Sequence, residues 1–330
     1  HIALPEYSKV LDPTLKDEDI LPATLAKEIT TTLLREKLGF NGLVVTDATA
    51  MAGFALPMPR EKAVPTAIAA GCDMFLFTRN MDEDFYFMKK GIKEGVITSE
   101  RLDEALTRIL GMKAALKLHT KQQNNELAPN LERAKEIIGN PKHQEWAKEC
   151  ADKSITLVKE EKGVLPISVE KHKRVLFYNL ENTGSFFDGN NVTEEFRKLL
   201  GNEGFEIEVF NANKGMEGMM TPSKDVLGKY DLIIYVANII TKSNQTTVRI
   251  EWAMPMGINI PIYLTSIPTI FVSVENPYHL LDIPRVKTYI NAYSSGENIL
   301  KEIVEKLMGR SEFKGTNPVD PFCGKWDTRL

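Results

Sequence analysis

Cysteine is scarce in this chain, and the placement of the few cysteines narrows its chemistry. The three cysteines, Cys72, Cys150 and Cys323, lie far apart in the 330 residues and form no CxxC pair. A disulfide framework or a cysteine-bound metal needs paired or clustered cysteines. The sequence therefore predicts neither, and three isolated thiols are the simpler interpretation.

Long apolar runs and a strong charge of either sign are also missing. No run of 18 or more apolar residues occurs, so no membrane span is predicted. The formal net charge of −4 gives no electrostatic reason to expect nucleic acid or an anionic membrane as a partner. The composition, 43% hydrophobic and 26% charged, is typical of a globular protein, and the length allows two domains. Oligomeric state and compartment are not indicated.

The chain opens "HIALPEYSKV", with no methionine and no leader. The segment "HIALP" itself predicts the end of a strand. We therefore expect that the sequence begins inside a larger domain, in which case the missing leader carries no information on compartment.

Strand and helix patterns alternate over the first third of the chain. After "HIALP", the segments "GLVVTD" and "CDMFLFT" are predicted strands, and Leu43, Val44 and Val45 predict a strand buried on both faces. Predicted helices separate them, and Thr98 is the expected N-cap of the longest. Apolar strands alternating with helices favour a parallel sheet covered by helices. Three units are too few for a closed barrel, so the alternatives are a doubly wound sheet or the tail end of a (β/α)₈ barrel.

A second alternation follows a polar segment without periodicity, "HTKQQNNELAPN" at 119–130, which predicts a linker. The region 131–330 predicts an α/β sandwich with a mostly parallel sheet. Its expected strands lie in "SITLVKEEKGVLPI", "KRVLFYNL", "FEIEVF", "YDLIIYVAN", "PTIFVSVEN" and "VKTYINAYS".

One carboxylate stands where a predicted strand ends. In "GFNGLVVTDATAMAGF", residues 39–54, Asp47 follows the aliphatic run and precedes small residues. Parallel α/β proteins gather their chemistry at the carboxyl ends of strands. From position alone Asp47 is a nucleophile, a general base, a metal ligand, a phospho-acceptor, or only a cap of the next helix.

The sequence around Asp47 resembles glycoside hydrolase family 3, in the branch of bacterial β-N-acetylhexosaminidases. The resemblance lies in "PATL", "LLREKLGFNGLVVTDATAM" and "AGCDMFLF", and more loosely in "SITLVKEEKGVLPI" and "VENPYHLLDIP…INAYS". The matching positions of the central motif are Leu34, Arg35, Gly39, Phe40, Gly42, Thr46, Asp47 and Met51.

The resemblance implies a fold and a division into domains. Residues 1–118 are expected to form the C-terminal part of a TIM-type (β/α)₈ catalytic barrel, 119–130 a linker, and 131–330 the family's C-terminal α/β sandwich domain. A barrel of this kind implies roughly another 200 residues upstream.

The resemblance also implies a reaction. Asp47 matches the nucleophile of a retaining glycoside hydrolase that removes terminal β-linked N-acetylglucosamine through a covalent glycosyl–enzyme. Neither a metal nor an organic cofactor is implied, because the covalent intermediate needs neither. The small residues Ala48, Thr49 and Ala50 are expected to leave room for a sugar ring. The expected partner is a carbohydrate, derived for example from peptidoglycan or chitin.

A retaining glycosidase needs an acid/base about 5 Å from the nucleophile. In the resembled branch this is a histidine on a mobile loop before the nucleophile, so we expect it upstream of residue 1. Other branches use a carboxylate of the second domain, for which Glu275 and Asp282 are the nearest candidates here.

Three further residues are candidates for substrate binding. His1 matches the histidine of a preceding family strand and is either a wall residue of the active site or a packed strand-end histidine. Met51 is either a sugar contact or a packing residue behind the nucleophile. Arg79 follows the last predicted strand of the first region and is either a sugar contact or a solvated loop residue.

Other functions stay open. Family members also cleave β-glucosides or β-xylosides, a few transfer the sugar to phosphate, and a homologue of this fold can be catalytically silent. The motif "LVVTDATAMAG" is also similar to a phospho-receiver site. Receivers, however, usually have proline at the position of Ala52 and need a lysine at a later strand end, where this chain offers Arg79.

Overall fold

The computed structural model describes residues 1–181, 192–211, 222–240, 248–254 and 256–330. The chain divides into two compact units, His1–Ala134 and Lys135–Leu330. Within the described residues, no helix is long and apolar enough to cross a membrane.

The first unit contains two short strands that pair in parallel. β1 (Val45–Ala48) and β2 (Met74–Leu76) are aligned at Val45 with Met74 and at Ala48 with Leu76. Both strands were predicted from sequence. A small apolar core of Leu25, Phe54, Ala63, Val64 and Ala67 packs beside them. The helices of this unit are Pro5–Leu11, Glu28–Lys37 (with i→i+5 hydrogen bonds), Ala52–Ala55, Arg60–Ala70, Met81–Lys93, Ser99–Ala115 and Leu118–Gln123.

Thr98 caps the longest of these helices as predicted. Its hydroxyl accepts a hydrogen bond from the N–H of Arg101 at 3.2 Å. Such a cap satisfies one of the free N–H groups of the first turn.

Two expectations for this unit are wrong. "HIALP" is not a strand: Ala3 forms only an isolated bridge to Pro22, and a helix begins at Pro5. Proline suits the first helical position, because the N–H it lacks has no partner there. The first of the paired strands is not buried on both faces either. Val45 is 43% exposed and Leu76 is 42% exposed, since the two-stranded sheet leaves these positions uncovered among the described residues.

The second unit is built on a six-stranded sheet with the order β3-β8-β7-β6-β4-β5. β3 runs antiparallel to β8, and every other neighbouring pair is parallel, which confirms the predicted mostly parallel sheet. The strands are β3 (Thr156–Lys159), β4 (Arg174–Glu181), β5 (Glu206–Val209), β6 (Leu232–Asn238), β7 (Thr269–Ser273) and β8 (Thr288–Asn291). The described helices are Pro141–Ser154, Val169–His172, Val192–Asn202, Ser223–Leu227 and Glu297–Leu307, and the helix Leu131–Ile137 lies across the division between the units.

Both faces of the six-stranded sheet are covered. Successive residues of a strand point to opposite faces. Val175 and Phe177 of β4 accordingly join one buried apolar cluster, whereas Leu176 and Tyr178 join another. The strands are therefore apolar without alternation, as expected for a sheet that forms the middle layer of three.

Stacked aromatic rings cross the second face of this sheet, and we call them the ring ladder. Tyr178 stacks on Tyr235 with centroids 4.2 Å apart and an interplanar angle of 8°. Phe271 lies 6.1 Å from Tyr235 and 5.4 Å from Tyr289. Each of these four rings belongs to a different neighbouring strand, so the ring ladder follows the register of β4, β6, β7 and β8.

Part of the predicted linker is ordered as a helix, Leu118–Gln123, and the compact units meet at Ala134 and Lys135. Apolar spacing alone did not reveal this helix, because most of its residues are polar and exposed.

Candidate active site

Asp47 lies on β1 and its side chain is exposed. Its Oδ1 accepts a hydrogen bond from the N–H of Ala48 at 2.6 Å. The preceding Thr46 is buried, and its hydroxyl donates to the Asp47 carbonyl at 2.8 Å. The same hydroxyl accepts from the N–H of Leu76 on β2 at 3.2 Å, so the sheet itself holds the backbone of Asp47. The carboxylate is thus presented outward from a fixed strand end.

Only some of the residues after Asp47 border open space. Ala50 is exposed, but Thr49 is 0% exposed. The expectation that Ala48, Thr49 and Ala50 together leave room for a sugar is therefore corrected. Thr49 points into the protein, because polar partners for its hydroxyl lie there.

A buried ion pair lies behind this loop, and we call it the Arg60–Asp84 pair. The Arg60 guanidinium bonds to the Asp84 carboxylate, with side chains 10% and 1% exposed. Arg60 also contacts Glu83 at 3.3 Å and donates to the Thr49 carbonyl at 2.8 Å. Sequence inspection missed this pair: its members are 24 residues apart, and an acidic residue in the first turn of a helix is ordinary.

His1 lies against the loop that follows Asp47. Its Nε2 donates to the Ala48 carbonyl at 3.1 Å, since a carbonyl oxygen only accepts, and its Nδ1 is 2.9 Å from the Thr24 hydroxyl. The imidazole also packs near the ring of Phe54, with centroids 5.2 Å apart. Both ring nitrogens therefore contact the protein, and the role of His1 as a wall residue of the active site remains a prediction.

Met51 and Arg79 also lie close to β1 in the chain or in space. The N–H of Met51 donates to the Ala48 carbonyl at 3.1 Å, and Met51 stands directly before the helix Ala52–Ala55. The N–H of Arg79 donates to the Thr49 hydroxyl at 3.0 Å, and its side chain is exposed. Their proposed contacts with a sugar remain predictions.

The opposite end of the same sheet carries a second aspartate, which sequence inspection also missed. Asp73 directly precedes β2, and its side chain is fully buried. It accepts from Arg35 at 2.7 Å, from Arg101 at 2.5 Å and from Arg108 at 3.3 Å. The N–H of Val44 adds a fourth donor at 2.9 Å. With every lone pair occupied, Asp73 is a structural anchor.

Of the two carboxylates considered in the second unit, Asp282 is a poor general acid. Burial favours its neutral form, but the His279 imidazole 3.7 Å away and the hydrogen bonds from the Ile250 N–H and Arg249 outweigh burial and lower the pKa of Asp282. A general acid needs a raised pKa. Glu275 is half-buried just after β7.

An exposed carboxylate at the carboxyl end of a parallel strand is the arrangement in which α/β enzymes place catalytic groups. Residues 1–112 match the model of the glycosyl hydrolase family 3 N-terminal domain. Residues 1–112, which include Asp47, therefore belong to the N-terminal domain of glycoside hydrolase family 3, and this match contradicts the phospho-receiver interpretation.

Known proteins match the chain along its whole length. It is 52% identical over 335 aligned residues to the "Beta-N-acetylglucosaminidase/beta-glucosidase" of Cellulomonas fimi, covering 100% of this chain and 58% of that protein. The solved structure "Beta-glucoside phosphorylase BglX" superposes with a TM-score of 0.85 at 44% identity, covering 100% of this chain and 58% of that one. A family 3 β-N-acetylglucosaminidase from Paenibacillus sp. str. FPU-7 shares the fold, with a TM-score of 0.65 at 21% identity, over 93% of this chain and 56% of that one. The chain thus spans a little more than half the length of these relatives.

Proposed function

We propose that this chain carries the nucleophile of a retaining enzyme that cleaves β-glycosides and removes terminal β-linked N-acetylglucosamine. The observation that carries the proposal is Asp47: an exposed carboxylate held at a strand end by the N–H of Ala48, inside the segment that matches the family. The relative from Cellulomonas fimi, named for activity on both N-acetylglucosaminides and glucosides, supports a β-glycoside as substrate.

The mechanism takes two displacements. A carboxylate oxygen of Asp47 attacks the anomeric carbon, the bond from that carbon to the leaving oxygen breaks, and the leaving oxygen takes a proton from the acid/base. A water molecule then gives a proton back to the acid/base and its oxygen attacks the same carbon, and the bond from that carbon to Asp47 breaks, which frees the carboxylate. The hydrogen bond from the Ala48 N–H orients the Asp47 carboxylate before the attack.

The fold proposal follows from the same elements. We propose that residues 1–118 form the C-terminal part of a (β/α)₈ barrel, with β1 as the strand that carries the nucleophile. Two neighbouring parallel strands, joined by the helices Ala52–Ala55 and Arg60–Ala70, are one repeat of such a barrel. The six-stranded unit fits the sandwich domain proposed for 131–330.

Covalent trapping tests the role of Asp47. A 2-deoxy-2-fluoroglucosyl fluoride forms a slow-turnover glycosyl–enzyme, because fluorine destabilises the oxocarbenium-like transition state of its breakdown. Digestion and mass spectrometry should place the added sugar on the peptide that contains Asp47, and Asp47→Asn should form no adduct. Full turnover by Asp47→Asn, or an adduct on another carboxylate, would overturn the assignment. The protein is expressed from its complete reading frame.

The sugar is tested with paired chromogenic β-N-acetylglucosaminide and β-glucoside substrates. A higher kcat/KM on the N-acetyl substrate supports the proposal. A higher kcat/KM on the glucoside would identify a β-glucosidase instead. Inactivity on both substrates would indicate a silent homologue.

A second candidate differs only in the acceptor. The similar structure named a beta-glucoside phosphorylase favours transfer of the sugar from Asp47 to inorganic phosphate instead of water. Turnover that rises with phosphate concentration and yields a β-glycosyl phosphate identifies phosphorolysis. Free sugar at a phosphate-independent rate identifies hydrolysis.

A further inference from the structure

Thr49 joins the two loops that leave the carboxyl ends of β1 and β2. It stands two residues after Asp47 and is fully buried. Its N–H donates to the Phe77 carbonyl at 3.2 Å, and its hydroxyl accepts from the N–H of Arg79 at 3.0 Å. Both partners belong to the loop after β2, so one side chain and one N–H fasten the nucleophile loop to its neighbour.

The Arg60–Asp84 pair completes the coordination of Thr49. The Thr49 hydroxyl donates to Asp84 Oδ2 at 3.3 Å, and the Thr49 carbonyl accepts from Arg60 Nη1 at 2.8 Å. Every polar group of Thr49 is thereby bonded, to three different elements. A buried and fully satisfied polar network holds its members in one arrangement, because each alternative leaves a group unpaired.

The backbone at Phe77 shows that this arrangement is imposed. Phe77 has φ of 51°, in the left-handed region that bulky residues rarely adopt, and its side chain is 74% exposed. Such a conformation is unfavourable and persists where the surroundings over-determine it. The hydrogen bond from Thr49 to the Phe77 carbonyl is one of the contacts that hold it.

Only Ala48 separates Thr49 from Asp47. A displacement of Thr49 is therefore transmitted to the Asp47 carboxylate through a few backbone torsions. The Ala48 N–H bonds to Asp47 Oδ1, and the Ala48 carbonyl accepts from His1 and Met51. A shift of Thr49 therefore moves the donor that orients the carboxylate.

We infer that Thr49, held by the Arg60–Asp84 pair, is a positioning residue that sets the point from which Asp47 attacks the sugar. This inference rests on the proposed function of Asp47 and adds to it the residue that fixes the nucleophile. A displacement of about 1 Å in a reacting group costs about 100-fold in rate.

The test compares Thr49→Val with Thr49→Ser. Valine keeps the shape and removes the hydroxyl, whereas serine keeps the hydroxyl. With a dinitrophenyl β-glycoside, the burst of dinitrophenolate counts the working sites, and kcat is expressed per working site. We expect Thr49→Val to lower kcat and the trapping rate about 10- to 100-fold with KM nearly unchanged. Thr49→Ser should stay within about threefold of the wild type, because its hydroxyl can make the same bonds.

A purely structural role predicts another pattern: fewer working sites and a lower Tm, with the trapping rate per working site unchanged. That result for Thr49→Val would overturn the inference. If Thr49→Val does not fold, Arg60→Lys serves instead, since lysine keeps the charge but loses the fork that spans Asp84 and the Thr49 carbonyl. Its trapping rate per working site should fall about tenfold, and an unchanged rate contradicts the inference.

Asp47→Asn separates the two levels of failure. If Asp47→Asn turns over normally, the proposed nucleophile is wrong and the positioning role falls with it. If Asp47→Asn is inactive while Thr49→Val reacts like the wild type per working site, only the positioning role is wrong.

Discussion

Asp47 and Asp73 stand at opposite ends of one two-stranded sheet and have opposite surroundings. Asp47 is exposed at the carboxyl end of β1, with the N–H of Ala48 as its hydrogen-bond donor. Asp73 is buried just before β2, with three arginines and one backbone N–H around it. A carboxylate that must react keeps lone pairs open to an incoming molecule, whereas one that must anchor has every lone pair filled.

The two aspartates also indicate different roles for the two ends of the sheet. In parallel α/β architectures the carboxyl ends of strands carry chemistry and the opposite ends carry stability. Arg35 illustrates the anchoring role, since it bonds to Asp73 and also donates to the carbonyls of Gly42 and Gly71. It thereby ties the approaches to β1 and β2 to the helix Glu28–Lys37.

The largest expected effect is that of Asp47→Asn on activity. Loss of the nucleophile should lower kcat by about 10⁴-fold or more, because the amide cannot form the covalent intermediate. The substitution is exposed and isosteric, so Tm should move by less than about 2 °C. Steady-state kinetics and thermal unfolding measure both quantities. A large drop in Tm would show that Asp47 also anchors the fold, and the contrast with Asp73 would fail.

Asp73→Asn should do the reverse and act on stability. The amide removes the carboxylate that Arg35 pairs with and leaves Arg101 and Arg108 only the exposed Glu104 as a counter-charge. Breaking such a buried cluster costs about 3–5 kcal/mol. Urea unfolding of the first unit measures the loss. Asp103→Asn, a change on the helix Ser99–Ala115, is the control and should alter stability by less than about 0.5 kcal/mol. Equal stability of Asp73→Asn and the wild type would contradict the anchoring role of Asp73.

The three arginines around Asp73 should not be equivalent. Arg35→Ala removes one ion pair and leaves buried carbonyls unpaired, and should cost about 2–4 kcal/mol. Arg108 makes a single longer contact with Asp73, at 3.3 Å, and its side chain is 19% exposed. Arg108→Ala should therefore cost about 1 kcal/mol or less. The same urea titrations rank the two, and the reverse order would mean that distance and burial do not decide the contribution.

The smallest effect concerns an aspartate of intermediate character in the second unit. Hydrogen bonds from Lys314 and Lys306 lower the pKa of Asp152 to about 2, against an ordinary value of 3.8. A lowered pKa stabilises the folded state above the ordinary value, and this contribution is lost as the pH falls from about 4 to about 2. Asp152→Asn should flatten the decline of unfolding free energy over that range. An unchanged slope would show that the two lysines do not hold the carboxylate.

Strong local patterns made most of the second unit predictable. Runs such as "DLIIYVAN" are apolar at every position because both faces of their strand are covered, and each predicted strand of that sheet is present. The prediction of a strand at "HIALP" was wrong because a short apolar run before a proline suits a strand end and a helix start equally well. The burial of β1 was over-estimated because its apolar residues do not reveal how much of the surrounding layer covers them.

In the candidate site, the motif made Asp47 predictable, but its supports were not. Arg60, Asp84 and Thr49 meet through bonds between residues 11 to 35 positions apart. Asp73 takes two of its three arginines from a helix some 30 residues later in the chain. Such pairings follow from the path of the chain in space and leave no periodic trace in the sequence.

The ring ladder gives the six-stranded unit an optical signature of its own. Tyrosine rings held in one arrangement by a packed core, as Tyr178 and Tyr235 are at 4.2 Å, should give near-ultraviolet circular dichroism that is lost when the core melts. All three tryptophans, Trp146, Trp252 and Trp326, belong to the same unit, so its fluorescence is also separable. Melting of the first unit is therefore nearly silent in tryptophan emission and near-ultraviolet dichroism, so an Asp73 variant can lose that unit while both signals look native. The far-ultraviolet dichroism of its helices is the signal that its urea titration has to follow.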